Sequence, residues 1–268
     1  MFKRTNLNSL SEGYTSYKVK KKLNTQPCSK GIVSTCIFGA TDKTEFKEKY
    51  IQPLIKNCHI IQDVLPGWCM RVYVPPDLPS EIIDSITSCG GCGCEVYVME
   101  NIPTGYIGTL WRFLPASENK PFISYDADML LNEDNYYMAN LSKNVSKWLE
   151  SDKIFFQRTL GHINYIIPIS AGMWGAKPTR EGFAPIPDIE RRLEKYNSDW
   201  FGCDEAFLTK EVYPLFKPKG VFKVRNTIEI IIGIFVFILF VLLILKLCLI
   251  FFNRIKTKTN SRTLNNKI

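Results

Sequence analysis

Residues 122–131 read Phe-Ile-Ser-Tyr-Asp-Ala-Asp-Met-Leu-Leu. An apolar strand runs into two carboxylates one residue apart, Asp126 and Asp128, and leaves through three apolar residues. In a strand, side chains at i and i+2 project to the same face. Two hard oxygen ligands are therefore expected side by side where a sheet ends and a loop begins. Such a place suits a divalent cation that keeps coordination positions open for a substrate diphosphate. It also fits the rule that open α/β sheets bind ligands beyond the carboxyl ends of their strands. The plain alternative is a solvated strand end followed by a helix cap.

The pattern around this stretch alternates. Apolar runs at 31–38, 68–74, 94–99, 122–126, 153–157 and 166–171 read as strands. Between them, 45–64, 79–88, 108–116, 133–151 and 203–211 read as helices, with Met138, Leu141, Val145 and Trp148 recurring at helical spacing. Strands alternating with helices predict a mostly parallel α/β sheet flanked by helices. Residues 1–30 read as a flexible basic arm, and the domain is expected to occupy 31–225.

The charge of this 268-residue chain sits at its ends. Its formal net charge is +8, yet residues 1–30 carry seven Lys/Arg against one Glu, and residues 246–268 carry six Lys/Arg and no acid. The intervening 215 residues hold 21 basic and 25 acidic side chains. A nucleic-acid reader shows a basic footprint on its folded body. This chain does not, and nucleic acid is not an expected partner.

From Ile230 to Leu245 no side chain is polar; Lys246 follows, and the apolar run resumes to Phe252. At the rise of an α-helix, Ile230–Phe252 reaches about 34 Å, enough to cross a hydrocarbon core. Residues 228–252 are therefore expected to form one C-terminal transmembrane helix, with 253–268 as a basic tail. Four basic residues precede the span and five follow it, so the positive-inside rule does not set its orientation. The first thirty residues hold no apolar signal-like run, which favours a membrane-anchored protein with its main domain in the cytosol. Asn140-Leu-Ser and Asn144-Val-Ser would be glycosylation acceptors only in a lumenal domain.

Nine cysteines, most of them singly within apolar stretches, read as reduced, packed thiols. Cys89 and Cys92 have C-x-x-C spacing, but no second ligand pair lies at a distance that suits zinc. Their glycine neighbours read most simply as a tight turn.

Leu65-Pro-Gly-Trp, Arg71-Val-Tyr, Trp111-Arg-Phe-Leu, Tyr125-Asp-Ala-Asp, Lys147-Trp-Leu-Glu-Ser-Asp-Lys, Ala171-Gly-Met-Trp-Gly, Cys203-Asp-Glu-Ala-Phe-Leu and Val212-Tyr-Pro follow one another in this order. As an ordered set over about residues 32–216, they resemble a group of glycosyltransferase-like proteins of large DNA viruses and bacteria. The resemblance implies a GT-A, Rossmann-like nucleotide-diphospho-sugar transferase fold. It implies a UDP- or GDP-sugar donor, a glycan or protein acceptor, and Mn²⁺ or Mg²⁺ held at Asp126 and Asp128. Three departures stand out. Tyr125 replaces an Arg before the carboxylates, Arg158-Thr-Leu-Gly-His162 replaces an Arg-Asp-His-Pro stretch, and Asp204-Glu205 replaces Asp-Gln. Either the donor or acceptor differs, or the domain is catalytically degenerate and serves in binding or structure. A nucleotidyltransferase would want a glycine-rich basic loop after the first strand, and Gly39-Ala-Thr-Asp-Lys is too short.

The candidate roles follow. Asp126 and Asp128 would hold the metal, whose charge stabilises the leaving diphosphate. Arg112 would reach a donor phosphate or sugar hydroxyl, or else form a surface pair. Asp204 would be the general base on the acceptor hydroxyl, or merely cap its helix. Trp174, Glu205 and His162 complete the expected sugar or acceptor site, with the Trp174 ring as a stacking wall or, alternatively, as core.

Overall fold

The computed structural model describes residues 17–24, 28–39, 43–88, 94–103, 105–132, 140–158, 168–179, 183–196, 200–217, 220–224, 235 and 237–246. The Cys89–Cys92 turn, His162, the start of the helix expected at 133–151 and most of the expected span 228–252 lie outside them. The chain divides into two compact units, Met1–Val224 and Arg225–Ile268.

The first unit is built on one eight-stranded sheet. Its strands are β1 (Val19–Leu23), β2 (Gly31–Cys36), β3 (Trp68–Val74), β4 (Cys94–Met99), β5 (Phe122–Tyr125), β6 (Phe155–Arg158), β7 (Met173–Ala176) and β8 (Val221–Val224), in the spatial order β1-β4-β3-β2-β5-β7-β6-β8. The block β4-β3-β2-β5 is parallel throughout. β7 runs antiparallel to both β5 and β6, and β1 runs antiparallel to β4. Only β1 and β7 therefore oppose the common direction, which makes the sheet mostly parallel, as expected.

Both faces of the sheet are covered, so its central strands are apolar on both sides. Val33, Met70, Val72, Val96 and Ile123 pack on one face beneath α2 (Gln52–Val64), α3 (Ser80–Thr87) and α4 (Leu141–Glu150). Ile32, Tyr73, Tyr97 and Phe122 pack on the other, against the 3₁₀ segment Ile107–Ser117, α5 (Ile189–Tyr196) and α6 (Cys203–Phe207). α2 is preceded by a short helix, α1 (Thr44–Phe46), and a π turn at Lys47–Ile51. α6 continues through a second π turn, Leu208–Val212, into α7 (Tyr213–Phe216).

Several expectations are corrected. Val19–Leu23, placed in a flexible arm, pairs with β4 as an edge strand; its lysines hid it because an edge strand needs no apolar face. Of the strand expected at 166–171, residues 166 and 167 lie outside the described residues and 168–171 are not strand; the strand beside β5 is Met173–Ala176. Pro168 interrupts the earlier run and has no N–H for a ladder. Cys28 and Cys69 are not reduced thiols but a disulfide, Cα atoms 5.3 Å apart. The pairing of Gly31 with Trp68 brings the approach to β2 alongside β3, and the two sulfurs with it.

In the second unit, residue 235 and residues 237–246 are helical and carry exposed Phe, Ile, Leu and Val side chains. Among the described residues no helix is long and apolar enough to cross a membrane.

Candidate functional site

β2, β3 and β4 succeed one another in one direction across the sheet, and β5 then returns to the opposite side of β2. The strand order thus reverses between β2 and β5. Beyond the carboxyl ends of those two strands lies a cavity of about 670 Å³, within the range of ligand sites. Cys36 to Gly39 form its β2 side and Asp126 to Asp128 its β5 side. Phe46, Lys49 and Tyr50 contribute one wall, and Tyr106, Phe201, Asp204 and Glu205 another.

Asp126 and Asp128 do meet in this cavity, but not for the reason strand periodicity suggests. β5 ends at Tyr125, and the motif lies in a turn closed by the Met129 N–H donating to the Asp126 carbonyl at 3.2 Å. Two devices fix that turn. The amide nitrogen of buried Asn57 on α2 donates to the Met129 carbonyl at 2.7 Å, and its oxygen accepts the Leu131 N–H at 2.8 Å. On the other side Gly172 gives the Asp126 carboxylate room: a Cβ there would lie 2.0 Å from Oδ2.

Arg112 is buried at the floor of the cavity. One terminal nitrogen binds the Asp126 carboxylate, and the other donates to Asp204 Oδ2 at 2.7 Å. The guanidinium thus ties the β5 turn to α6 rather than presenting itself to a phosphate, and its Nε is buried without a hydrogen-bond partner. Asp204 opens α6, and its Oδ1 also accepts the Glu205 N–H at 3.0 Å. Burial alone would raise the Asp204 carboxyl, but the hydrogen bond with Glu205 and the charge of Arg112 outweigh it and hold it low. Glu205 moves the other way. Burial, then the hydrogen bond and charge of Asp204, push it up to about 7. One carboxylate of the pair is held ionised, and its neighbour is poised to carry a proton.

The Asp128 carboxyl is also raised, first by burial and then by the charge of Asp126. A divalent cation at the turn would relieve that repulsion. Two carboxylates facing an open cavity match a Mg²⁺- or Mn²⁺-type site completed by substrate phosphates, so the residues present fit the metal. Among the described residues the one cluster of three candidate ligands is elsewhere: Cys28, Cys69 and Glu95. Its sulfurs are bonded to each other and Glu95 is paired with Arg71, so the three do not form a metal site.

The cavity therefore unites Arg112, Asp126, Asp128, Asp204 and Glu205. It does not include Trp174, whose ring is fully buried among Phe113, Phe122 and Phe155. Its place on β7, opposite Ser124 of β5, turns it into the core, and the expectation of a sugar-stacking wall is corrected. Sequence reasoning missed Phe46, Lys49, Tyr50, Tyr106 and Phe201. Glycines at 39, 105 and 202 beside these residues were the available signal, since each adopts a positive φ that shapes the cavity rim.

No protein-family model matches the chain, and no curated protein matches it. Among solved structures it is similar to S. aureus TarS 1–349, with 11% identity and a TM-score of 0.41, over 66% of this chain and 53% of that one. The chain thus spans about half the length of that neighbour.

Proposed function

We propose that the protein is a membrane-anchored, metal-dependent glycosyltransferase of GT-A type, moving a sugar from a nucleotide-diphosphate sugar to an acceptor hydroxyl. The observation that carries this reading is the meeting of the Asp126–Asp128 turn and the Asp204–Glu205 pair in one cavity at the sheet's point of reversal. A metal-held diphosphate and a proton acceptor, the two needs of sugar transfer, would thereby sit side by side. Asp126 and Asp128 would hold Mn²⁺ or Mg²⁺, which supplies charge stabilisation to the departing diphosphate. Lys49, at the cavity wall and electrostatically coupled to Asp128, would bind the same phosphates.

Asp204 was the expected base, but its oxygens are taken up by Arg112 and by its own helix start. Glu205 is the better acceptor of the hydroxyl proton, with Asp204 keeping its neighbour basic and Arg112 positioning Asp204. The cavity favours a UDP- or GDP-sugar donor only in its class; nothing in it selects the base.

A second reading rests on Arg112. A guanidinium already paired with Asp126 would compete with a cation for that carboxylate, as expected of a degenerate site kept for binding or structure. Calorimetric titration of the full-length protein in detergent with UDP- and GDP-sugars, with and without Mn²⁺, separates the two. Metal-dependent binding lost in Asp128→Asn supports the transferase. Absence of binding by any donor supports the degenerate form.

The anchor is proposed from the 230–252 apolar run, with the domain on one side of the membrane. The cytosolic placement drawn from the lack of a signal-like run is opposed by the Cys28–Cys69 disulfide, which favours an oxidising compartment.

A further inference from the structure

Aromatic rings just before the carboxylate pair, and one just before the 3₁₀ segment, are left open to solvent. Phe201 is 79% exposed, Trp200 55% and Tyr106 46%. Tyr106 and Phe201 stand edge to face with centroids 5.6 Å apart, and both line the cavity. Large aromatic rings are mostly covered in folded proteins, and several exposed together mark a binding surface.

These rings are held in place from below. The Tyr106 carbonyl accepts hydrogen bonds from the N–H and hydroxyl of Thr109, at 3.0 and 2.8 Å, and from the thiol of buried Cys203 at 3.6 Å. The Trp200 carbonyl accepts the Cys203 N–H at 3.0 Å. Gly202, at φ +86°, turns the chain between Phe201 and α6. Phe201 is thereby left in solvent while Cys203 and Asp204, immediately after the turn, are buried.

The cavity has two aromatic walls that differ in charge. On one, Phe46 and Tyr50 flank Lys49, whose ammonium lies 5.0 Å from the Tyr50 ring centroid. A cation beside aromatic rings suits a nucleotide diphosphate. On the other, the rings adjoin Asp204 and Glu205, which would repel phosphates and accept hydrogen bonds from hydroxyls. A ligand with an apolar C–H face and a rim of uncharged hydroxyls satisfies both demands of that second wall. We propose that Tyr106 and Phe201 form an acceptor subsite for a neutral carbohydrate, its pyranose ring packed against these two rings and its hydroxyls turned toward the Asp204–Glu205 pair.

The word acceptor rests on the glycosyltransferase reading; the carbohydrate site itself does not. Saturation-transfer NMR on the full-length protein in detergent, with cello-, malto-, xylo- and chito-oligosaccharides as probes, tests it. At least one is expected to receive saturation. Phe201→Ser and Tyr106→Ser should weaken that binding about tenfold, whereas Phe201→Tyr should retain it. Because the rings are exposed, the circular dichroism spectrum should not change. If none of the oligosaccharides binds, or if the serine variants bind as the parent does, the proposal is overturned. It is equally overturned if those variants lose affinity for phosphatidylcholine vesicles and not for sugar, which would make the rings a membrane contact. Platform-dependent sugar binding without any donor binding would keep this site and remove the transferase reading.

Discussion

The carboxylate of Asp126 lies against the backbone of Gly172, so close that a Cβ on Gly172 would come within 2.0 Å of Oδ2. The β5 turn is positioned by a missing side chain on the neighbouring loop. Gly172→Ala must displace either that loop or the carboxylate, at an overpacking cost of about 1–3 kcal/mol. The expected outcome is a folded protein with a lowered melting temperature and without Mn²⁺-dependent donor binding. Calorimetry with and without metal checks it; wild-type affinity in the variant would show that Asp126 takes no part in binding.

Arg112 is expected to be the most sensitive position of the site. Its removal leaves Asp126 and Asp204 without their shared counter-charge, and breaking such a buried pair costs about 3–5 kcal/mol. Arg112→Lys keeps the charge but has no fork to reach both carboxylates. It should be less damaging to stability than Arg112→Ala and nearly as damaging to donor binding. Chemical denaturation and titration calorimetry, run on both variants, separate the two effects.

Glu205 sets the expected pH dependence. Its folded-state pKa of about 7 exceeds that of an unfolded glutamate, because burial and Asp204 disfavour its charged form. The native state therefore binds the extra proton between the ordinary glutamate range and about 7, and stability falls as pH rises through that window. Activity should do the opposite, rising with pH toward a plateau above about 7 as Glu205 loses its proton. Asp204 and Arg112 face it throughout and stay charged. Glu205→Gln should flatten the stability profile and abolish transfer. A variant whose rate keeps the same pH profile would move the base elsewhere.

The Cys28–Cys69 disulfide closes a loop across a separation of 41 residues. On loop-closure entropy alone it contributes about 4 kcal/mol, and Cys28→Ser should lose a comparable amount in a denaturant titration under non-reducing conditions. The bond also bears on topology. If it forms in the cell, the domain lies in an oxidising compartment, and Asn140, exposed at the start of α4, becomes a glycosylation acceptor. A glycosidase-sensitive mass shift removed by Asn140→Gln with Asn144→Gln confirms that side. Its absence, together with full alkylation of Cys28 and Cys69 in intact cells, returns the domain to the cytosol.

The central strands were legible because a parallel sheet covered on both faces must be written in apolar runs, and β2, β3, β4 and β5 are all buried along their length. The edge strands were not. β1 is three lysines between a valine and a leucine, and β8 is only half-buried. The site was readable in its residue types and misread in its geometry. The carboxylates of Asp126 and Asp128 are gathered by a turn, which periodicity does not encode. Trp174 and Trp200 each lie within two residues of a glycine, and the register of β7 is what turns Trp174 into the core. The contacts made by Asn57 and Gly172 span 72 residues in one case and depend on an absent side chain in the other, so no local pattern announces them.

The lysines of β1 acquire a further meaning from their position at the rim of the sheet. Beneath them β4 presents a fully buried strand whose outward ladder would, if bared, be a template for another chain. A short, cationic ribbon laid antiparallel along it satisfies that ladder and offers the next molecule a row of like charges. The stretch that looks most dispensable in composition thus closes the edge of the sheet with like charges that disfavour strand-to-strand pairing with another copy of this chain.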